Sequence, residues 1–353
     1  MPELQKTAIV ILNWNGAKLF PDFLPSIIEH SQEENIEVIV ADNGSTDNSL
    51  QVLREKFPEV AILDLKKNYG FAKGYNVALE QIEADYYVLV NSDVKVAENW
   101  IVPCLKHFEN NPEVAAVQPK VLSYNKPDEF EYAGAAGGFI DKYGYPFCRG
   151  RILNQVEKDN KQYETPDEIF WATGACMFVK ADAFKMAGGL DADFWAHMEE
   201  IDLCWRLKNQ GYKIVYEPES VIYHLGGGSL EYGNPKKVYL NFRNNLFMLF
   251  KNLPERKFKR ILFARMVLDG IAAAKFLFGF EWNAFLAVAR AHFSFYKNLP
   301  GLFRKRKSLK PKVVKNEHPQ IYSRSIMWKF FLEKKHKFSE LDFKLDYDAK
   351  TDF

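Results

Sequence analysis

Short, almost wholly apolar runs alternate with helix-like segments over the first third of the chain, and this alternation limits the fold more than any other feature. TAIVIL is followed by 17–33, IEVIVA by 47–57, VAILDL by 71–83 and DYYVLV by 98–110, before a further run, VAAVQ. Runs of this kind, spaced by helices, predict successive βαβ units and an α/β fold. The sheet is expected to be Rossmann-like and mainly parallel, with helices on both faces. In such sheets ligand-binding residues gather beyond the carboxyl ends of the strands.

The residues at those ends are polar: Asn13-Trp14-Asn15-Gly16, Asp42-Asn43-Gly44-Ser45, Asn68-Tyr69-Gly70 and Asn91-Ser92-Asp93. A single loop of this type is equally a turn, because Asn, Asp and Gly favour turns and Ser45 or Asp47 can cap the next helix. Recurrence at successive strand ends points to a ligand. Asp93 is the candidate for holding Mg²⁺ or Mn²⁺, a hard cation that in turn neutralises a diphosphate. Asn91, two residues earlier, offers an amide oxygen in place of a second carboxylate.

Residues 123–168 break the rhythm with Pro127, Gly134, Gly137, Gly138, Gly144 and Pro146, and predict an inserted loop or hairpin covering one end of the sheet on the acceptor side. FWATGACMFVKADAF then resumes with small residues and a strand. A helix is expected over 199–210 from the apolar face of Ile201, Leu203, Trp205 and Leu207, with Gly211 as its stop. It opens with Glu199, Glu200 and Asp202. Acids suit the positive end of a helix dipole, but three in four residues exceed that need, and one can serve as a general base. Spacing places Glu199 and Asp202 on one face, with Glu200 about a quarter-turn away. KIVYEPESVIYH returns as extended chain ending in His224, which either ligates a metal through neutral imidazole or caps a strand. Gly226-Gly227-Gly228-Ser229 follows, where glycine permits close backbone approach to phosphates. There is no P-loop and no G-x-G-x-x-G after the first strand.

With 353 residues, 47% of them hydrophobic, the chain can bury one large domain with an appendage. Its formal charge of +1 conceals an asymmetry: 251–315 holds 16 Lys/Arg against Glu255, Asp269 and Glu281, a net +13. Within it, ILFARMVLDGIAAAKFLFGF forms an amphipathic helix with Arg265, Asp269 and Lys275 on one polar arc. Followed by GLFRKRKSLKPK, it is suited to an anionic membrane surface. No apolar run of about 18 residues indicates a spanning helix. No nucleic-acid motif accompanies the basic run, so nucleic acid is not an expected partner. The four cysteines are far apart without a C-x-x-C pair, which predicts reduced thiols, and MPELQKTAIVILNWNG lacks the features of a signal peptide. A cytoplasmic protein is expected, peripheral at the inner face of the cell membrane.

The ordered set ILNWNG, VIVADNGSTDNS, NYGFAKGYNVAL, VLVNSDV, ATGACMFVKADAF, GGLDADFW, EEIDLCWRL and YHLGGGS resembles the family-2 glycosyltransferases, particularly their rhamnosyltransferase-like branch. The resemblance covers roughly 7–250. It implies the GT-A fold, a nucleotide-sugar donor (dTDP-, UDP- or GDP-linked), a divalent metal and inversion at the anomeric carbon. Carried over by position, it implies that Asp42 and Asn43 hold the base or ribose near Asn13. Asn68, Gly70, Lys73 and Asn76 match the donor-binding segment, which continues at Asn91, Ser92 and Asp93. Asp93 matches the last Asp of the family's D-x-D metal motif and His224 the later metal-associated histidine. Glu199-Glu200 matches a Glu-Asp pair whose second member is the base. Asn91 and Glu200 depart from that pattern, leaving the base open between Glu199 and Glu200. Trp171, Thr173 and Gly174 are expected to line the acceptor side and Trp195 to stack on a sugar.

These expectations give a glycosyltransferase domain over 1–250, divided into a nucleotide-sugar half (1–122) and an acceptor and catalytic half (123–250), then a basic helical extension over 251–353. The acceptor is a saccharide or a lipid-linked sugar. A sugar-phosphate nucleotidylyltransferase would need a basic glycine-rich loop after the first strand, where Asn13-Trp14-Asn15-Gly16 has no Lys or Arg. A saccharide- or lipid-binding protein would not need the Glu199-Glu200-Asp202 cluster.

Overall fold

The computed structural model describes residues 5–226 and 234–343. The expected alternation is present: β1 (Thr7–Asn13), α1 (Phe20–Glu29), β2 (Ile36–Asp42), α2 (Ser49–Lys56), β3 (Ala61–Asp64), α3 (Phe71–Leu79), β4 (Tyr86–Asn91), β5 (Val94–Val96), α4 (Val102–Asn110) and β6 (Val114–Ser123). The insert folds as short strands, β7 (Gly138–Asp141), β8 (Pro146–Cys148), β9 (Arg151–Ile152) and β10 (Gln155–Val156). Then come β11 (Asp167–Ile169), β12 (Cys176–Lys180), α5 (Ala181–Ala187), α6 (Glu199–Asn209), β13 (Lys213–His224), α7 (Pro235–Asn252), α8 (Glu255–Phe278), α9 (Trp282–Leu309), β14 (Ile321–Tyr322) and α10 (Ile326–Phe331).

The main sheet has the order β11-β13-β6-β12-β4-β1-β2-β3, with β5 also on β13. The β3-β2-β1-β4 half is parallel, as is β6 with β13; β12 runs antiparallel between β4 and β6. Alternate residues of one strand enter opposite cores. Ala8 and Val10 pack on the side of Ala72, Tyr75 and Ala78 from α3, while Ile9 and Ile11 pack on the side of Phe20, Leu24 and Ile27 from α1. Both faces are therefore covered, which is why the strands read as unbroken apolar runs. Each large side chain so buried contributes about 1.5–3 kcal/mol.

The C-terminal segment is woven into the rest. The boundary expected at 250 falls inside α7, and β14 pairs parallel with β7 in the small sheet. Asn209 O accepts from Val314 and Lys315 N. Helix α8 corrects the expected polar arc: Arg265 and Asp269 are buried, while Phe263, Val267 and Ile271 face out. The physical reason is a satisfied internal ion pair, with Arg265 Nε 2.7 Å from Asp269 Oδ1 and further donation to Tyr143 O and to Asn245 of α7. All four cysteines are buried and free.

Candidate active site

Sheet register brings the polar strand ends to one edge. Asn13 pairs with Asp42 across β1–β2, Leu12 with Asn91 across β1–β4, and Asp42 with Asp64 across β2–β3. These residues then bond one another. Buried Asp42 accepts from Asn13 Nδ2 at 2.8 Å, from Ser45 Oγ at 2.6 Å and from Ser45 N at 2.9 Å. Asn43 Nδ2 donates to Gly70 O at 3.1 Å, its Oδ1 accepts from Tyr69 N at 2.9 Å, and Asn68 Oδ1 accepts from Gly70 N at 2.8 Å. These Asx residues thus lock the strand-end loops to one another, and Asn13 Oδ1 remains a buried acceptor without a partner. Trp14, which sequence reasoning did not single out, stands 57% exposed on the same loop. Lys73 is exposed, its Nζ 5.4 Å from the centre of the Tyr69 ring.

The chain after β4 turns at Ser92-Asp93 and re-enters as β5, where Val94 pairs with His224. That pairing sets Asp93 beside the histidine: Asp93 Oδ1 lies 3.2 Å from His224 Nε2, and Asn91 Nδ2 lies 3.5 Å from the same nitrogen. Adjacent ligands on an octahedral ion with bonds of about 2.1 Å are about 3 Å apart, so the carboxylate and imidazole are spaced to share one. On the other side of the ring, Glu131 Oε2 lies 3.3 Å from His224 Nδ1, an ion-pair distance without hydrogen-bond alignment. Glu131 is buried and accepts from Ala133 N. Among the described residues no group of three His, Cys, Asp or Glu side chains converges on one point. The groups brought together here are one carboxylate, one imidazole and an amide. Burial alone would push the His224 imidazolium down, but Asp93 and Glu131 hold its pKa up to about 10. Burial likewise works against the Asp93 carboxylate, yet bonding to His224 leaves it below its ordinary value. Gly227, Gly228 and Ser229 lie outside the described residues.

The segment that leads into Glu199 and Glu200 is built differently. Three of the four residues directly before Glu199 are non-glycine residues at positive φ: Trp195, His197 and Met198 (64°, 68° and 71°). Asn244 of α7, itself buried, holds this segment: its Nδ2 donates to Phe194 O, Ala196 O and His197 O at 3.0, 2.8 and 2.7 Å. The Trp195 carbonyl accepts from Phe71 N and Ala72 N at the start of α3. Its half-exposed indole lies on Gly70, where φ is +78° and a Cβ would come within 2.8 Å of the ring. Glu199 is buried and Glu200 half-buried, each with Oε2 buried and unpartnered. Burial, then the neighbouring Glu200 charge, raises Glu199 well above the carboxylate range. Burial raises Glu200 to about 7 against bonding to backbone N–H groups. A methyl on Gly174 would sit 3.9 Å from Glu200 Cβ, and Ala175 O accepts from Asn91 N at 3.0 Å, so one turn joins the base to the Asp93 loop. Burial and the Lys237 charge push His197 down to about 4, leaving it neutral.

Several expected site residues belong to the framework instead. Asp202 is fully buried and accepts from Arg206 Nε, Lys251 Nζ and Asn252 Nδ2, each at 2.8 Å, which leaves no acceptor-facing oxygen. Asn76 is engaged with Leu190, donating to its O and accepting from its N. Trp171 is buried, its Nε1 donating to Phe139 O at 2.9 Å, so it packs the core under the acceptor turn. Thr173 is buried too, its Oγ1 accepting from Ala175 N. Glu131, Asn244 and Trp14 were missed; of these only Trp14 had a signal, its place in a polar strand-end loop.

Residues 8–186, half of the chain, match the model of glycosyl transferase family 2. The chain belongs to that family. Among curated relatives of this glycosyltransferase is the N-acetylglucosaminyl-diphospho-decaprenol L-rhamnosyltransferase of Mycobacterium tuberculosis, 25% identical over 234 residues, 61% of this chain and 75% of the relative. The poly-beta-1,6-N-acetyl-D-glucosamine synthase of Staphylococcus epidermidis is 23% identical over 225 residues, 63% of this chain and 50% of that one. The fold is shared with GalNAc-T7, solved with UDP, GalNAc and Mn²⁺ (TM-score 0.57, 15% identity, 73% of this chain and 50% of that one). It is also shared with a mannosyltransferase from Pyrobaculum calidifontis, solved with GDP-Man and Mn²⁺ (TM-score 0.52, 18% identity, 88% and 83%). The glycosyltransferase thus has the GT-A fold, with a helical C-terminal region. Among its described residues no helix is long and apolar enough to cross a membrane.

Proposed function

We propose that the protein is an inverting, metal-dependent glycosyltransferase that moves a hexosyl or deoxyhexosyl group from a dTDP-, UDP- or GDP-linked sugar to a hydroxyl of a saccharide or lipid-linked acceptor. The observation that carries this reading is Glu200: a half-buried carboxylate with an unpartnered oxygen and a pKa raised to about 7, beside the Gly174 turn and one strand end from Asp93. A base poised near neutral pH takes the acceptor proton efficiently. As Glu200 removes it, the acceptor oxygen bonds to the anomeric carbon from the side opposite the diphosphate. The bond from that carbon to the diphosphate oxygen breaks, its electron pair leaving with the diphosphate, and one displacement inverts the centre. Glu199, more deeply buried, stays protonated, so the pair carries one negative charge.

Asp93 and His224, the imidazole giving up its proton to the ion, would hold beside Asn91 a divalent cation, which when bound supplies positive charge against the departing diphosphate. Glu131 faces the His224 ring from the other side. The strand-end frame of Asn13, Asp42, Asn43 and Asn68 shapes the nucleotide pocket, with Ser92 and Lys73 at its rim; Trp14 offers a face for the base and Trp195, lying on Gly70, a face for the sugar. The relatives' names support a role in polysaccharide synthesis and a lipid-linked acceptor. In this reading the product is a cell-surface polysaccharide and the enzyme is cytoplasmic, peripheral at the inner face of the membrane.

The test is a screen of nucleotide-sugar donors for binding and slow hydrolysis, run with Mg²⁺, Mn²⁺ and excess chelator. Donor binding and metal-stimulated turnover are expected from one nucleotide class. Turnover undiminished by chelation would remove the metal assignment, and full transfer by Glu200→Gln would remove the base.

A further inference from the structure

The large apolar side chains this molecule exposes are concentrated in one region. Phe263, Val267 and Ile271 form an outward row on α8, and the row ends at a tip where Phe278, Phe280 and Trp282 are 81%, 80% and 55% exposed. Helices α8 and α9 are an antiparallel hairpin in register, with His292 Nε2 3.2 Å from Asp269 Oδ2 and Tyr296 Oη 3.8 Å from Met266 Sδ. The hairpin's polar pair, Arg265–Asp269, is spent on holding it to α7 and the small sheet, so its apolar row is turned away from the protein. The α10 helix continues the surface: Lys275 Nζ lies 5.4 Å from the centre of the Phe331 ring, and Trp328, Phe331 and Leu332 are exposed. Exposed aromatic and aliphatic side chains gathered in one region mark an interaction site.

Charge selects the occupant. Lys259, Arg260, Arg290, Lys297, Arg304 and Lys307 are exposed along the same two helices, whereas Glu255 is drawn into a bond with Arg306, leaving Glu281 as the exposed acid that offsets them. Two copies of this face would bring like charges together. An anionic lipid surface pairs with them, each basic residue adding attraction while aromatic side chains enter the acyl boundary. We propose that the α8–α9 hairpin, with α10 beside it, docks on an anionic bilayer, inserting Phe278, Phe280 and Trp282 and leaving the basic side chains at the phosphates. This deepens the peripheral placement proposed above and rests on it, not on the transfer chemistry.

The experiment is cosedimentation of the full chain, without donor sugar, with vesicles of phosphatidylcholine containing phosphatidylglycerol and with vesicles of phosphatidylcholine alone. Binding is expected to the anionic vesicles, to weaken as salt is raised, and to fall about 100-fold in the Phe278→Ser/Phe280→Ser/Trp282→Ser variant. That variant should keep wild-type circular dichroism, nucleotide affinity and transfer to a water-soluble acceptor. A second, charge-only variant, Arg290→Gln/Lys297→Gln, should bind anionic vesicles more weakly with an unchanged fold. Absence of wild-type binding, or equal binding by the tip variant, overturns the proposal. So does a wild-type dimer in light scattering that the tip variant converts to monomer, because the occupant is then a second copy. Loss of transfer to the soluble acceptor in wild type would instead count against the enzymatic reading and leave the vesicle result standing.

Discussion

On the donor side of the cleft, Asn13, Asp42, Ser45, Asn43 and Asn68 bond one another within loops that directly follow their own strands. On the base side, the segment before Glu199 is gripped from α7, with Asn244 reaching Phe194 across 50 residues of sequence. The donor frame is built of bonds between the loops of neighbouring strands, about 30 residues apart at most, with Asn15 and Lys66 at positive φ within it. The base segment is strained at Trp195, His197 and Met198, about 1–3 kcal/mol for each residue so held, and persists because a later helix over-determines it. Buried ionic contacts extend the same dependence: Lys251 of α7 bonds both Asp191 and Asp202, and Lys305 of α9 also reaches Asp191. Donor binding and proton removal should therefore respond separately to mutation.

The largest separation is expected from Glu200→Gln, which should lower transfer about 10²–10⁴-fold while nucleotide affinity stays near wild type. Steady-state transfer and calorimetric donor binding measure the two quantities. Since the base must be deprotonated, wild-type transfer should rise as pH increases through about 7, and the variant should lose that limb. Next, Asn244→Ala removes the clamp and should destabilise the fold by about 2–4 kcal/mol in urea unfolding, with transfer falling more than donor affinity. If both fall equally, the two sides are one cooperative unit and the comparison fails. Asn43→Ala should show the reverse order.

Glu131→Gln sharpens the donor half further. It should weaken Mn²⁺ affinity roughly 10–100-fold by calorimetry and leave metal-free nucleotide binding unaltered. The smallest effect belongs to Glu199→Gln. The folded carboxyl is raised above its unfolded value, so the native state binds its proton more tightly and loses stability as pH climbs past the ordinary carboxylate range. Replacing it should give no gain near pH 4 and about 1 kcal/mol or more at pH 8, read from thermal melts.

The donor side was legible in the sequence because a sheet covered on both faces leaves its strands as apolar runs, and the first polar residue after each run marks the edge. Helix α6 and strand β13 were legible for similar reasons, and β13 ends at His224 as expected. Side-chain direction was not legible. Asp202, Asn76, Trp171 and Thr173 are the residue types a site uses, but the same hydrogen-bonding capacity also ties elements together, and only packing decides which occurs. Glu131 lies in an insert without periodicity, and Asn244 in a helix where asparagine carries no pattern. Periodicity in α8 grouped Arg265 with Asp269 correctly, but it cannot say which side of a helix faces inward when an ion pair is satisfied inside.

Strand β12 runs against both of its neighbours, so the edge that receives the ends of β1, β2 and β4 receives its beginning. The turn at Gly174 and Ala175 therefore reaches the cleft from the opposite chain direction. Ala175 O accepts from Asn91 N just before the first β12–β4 pairing at Cys176, so a change in the length of this turn is felt both beside Glu200 and at the Asp93 loop.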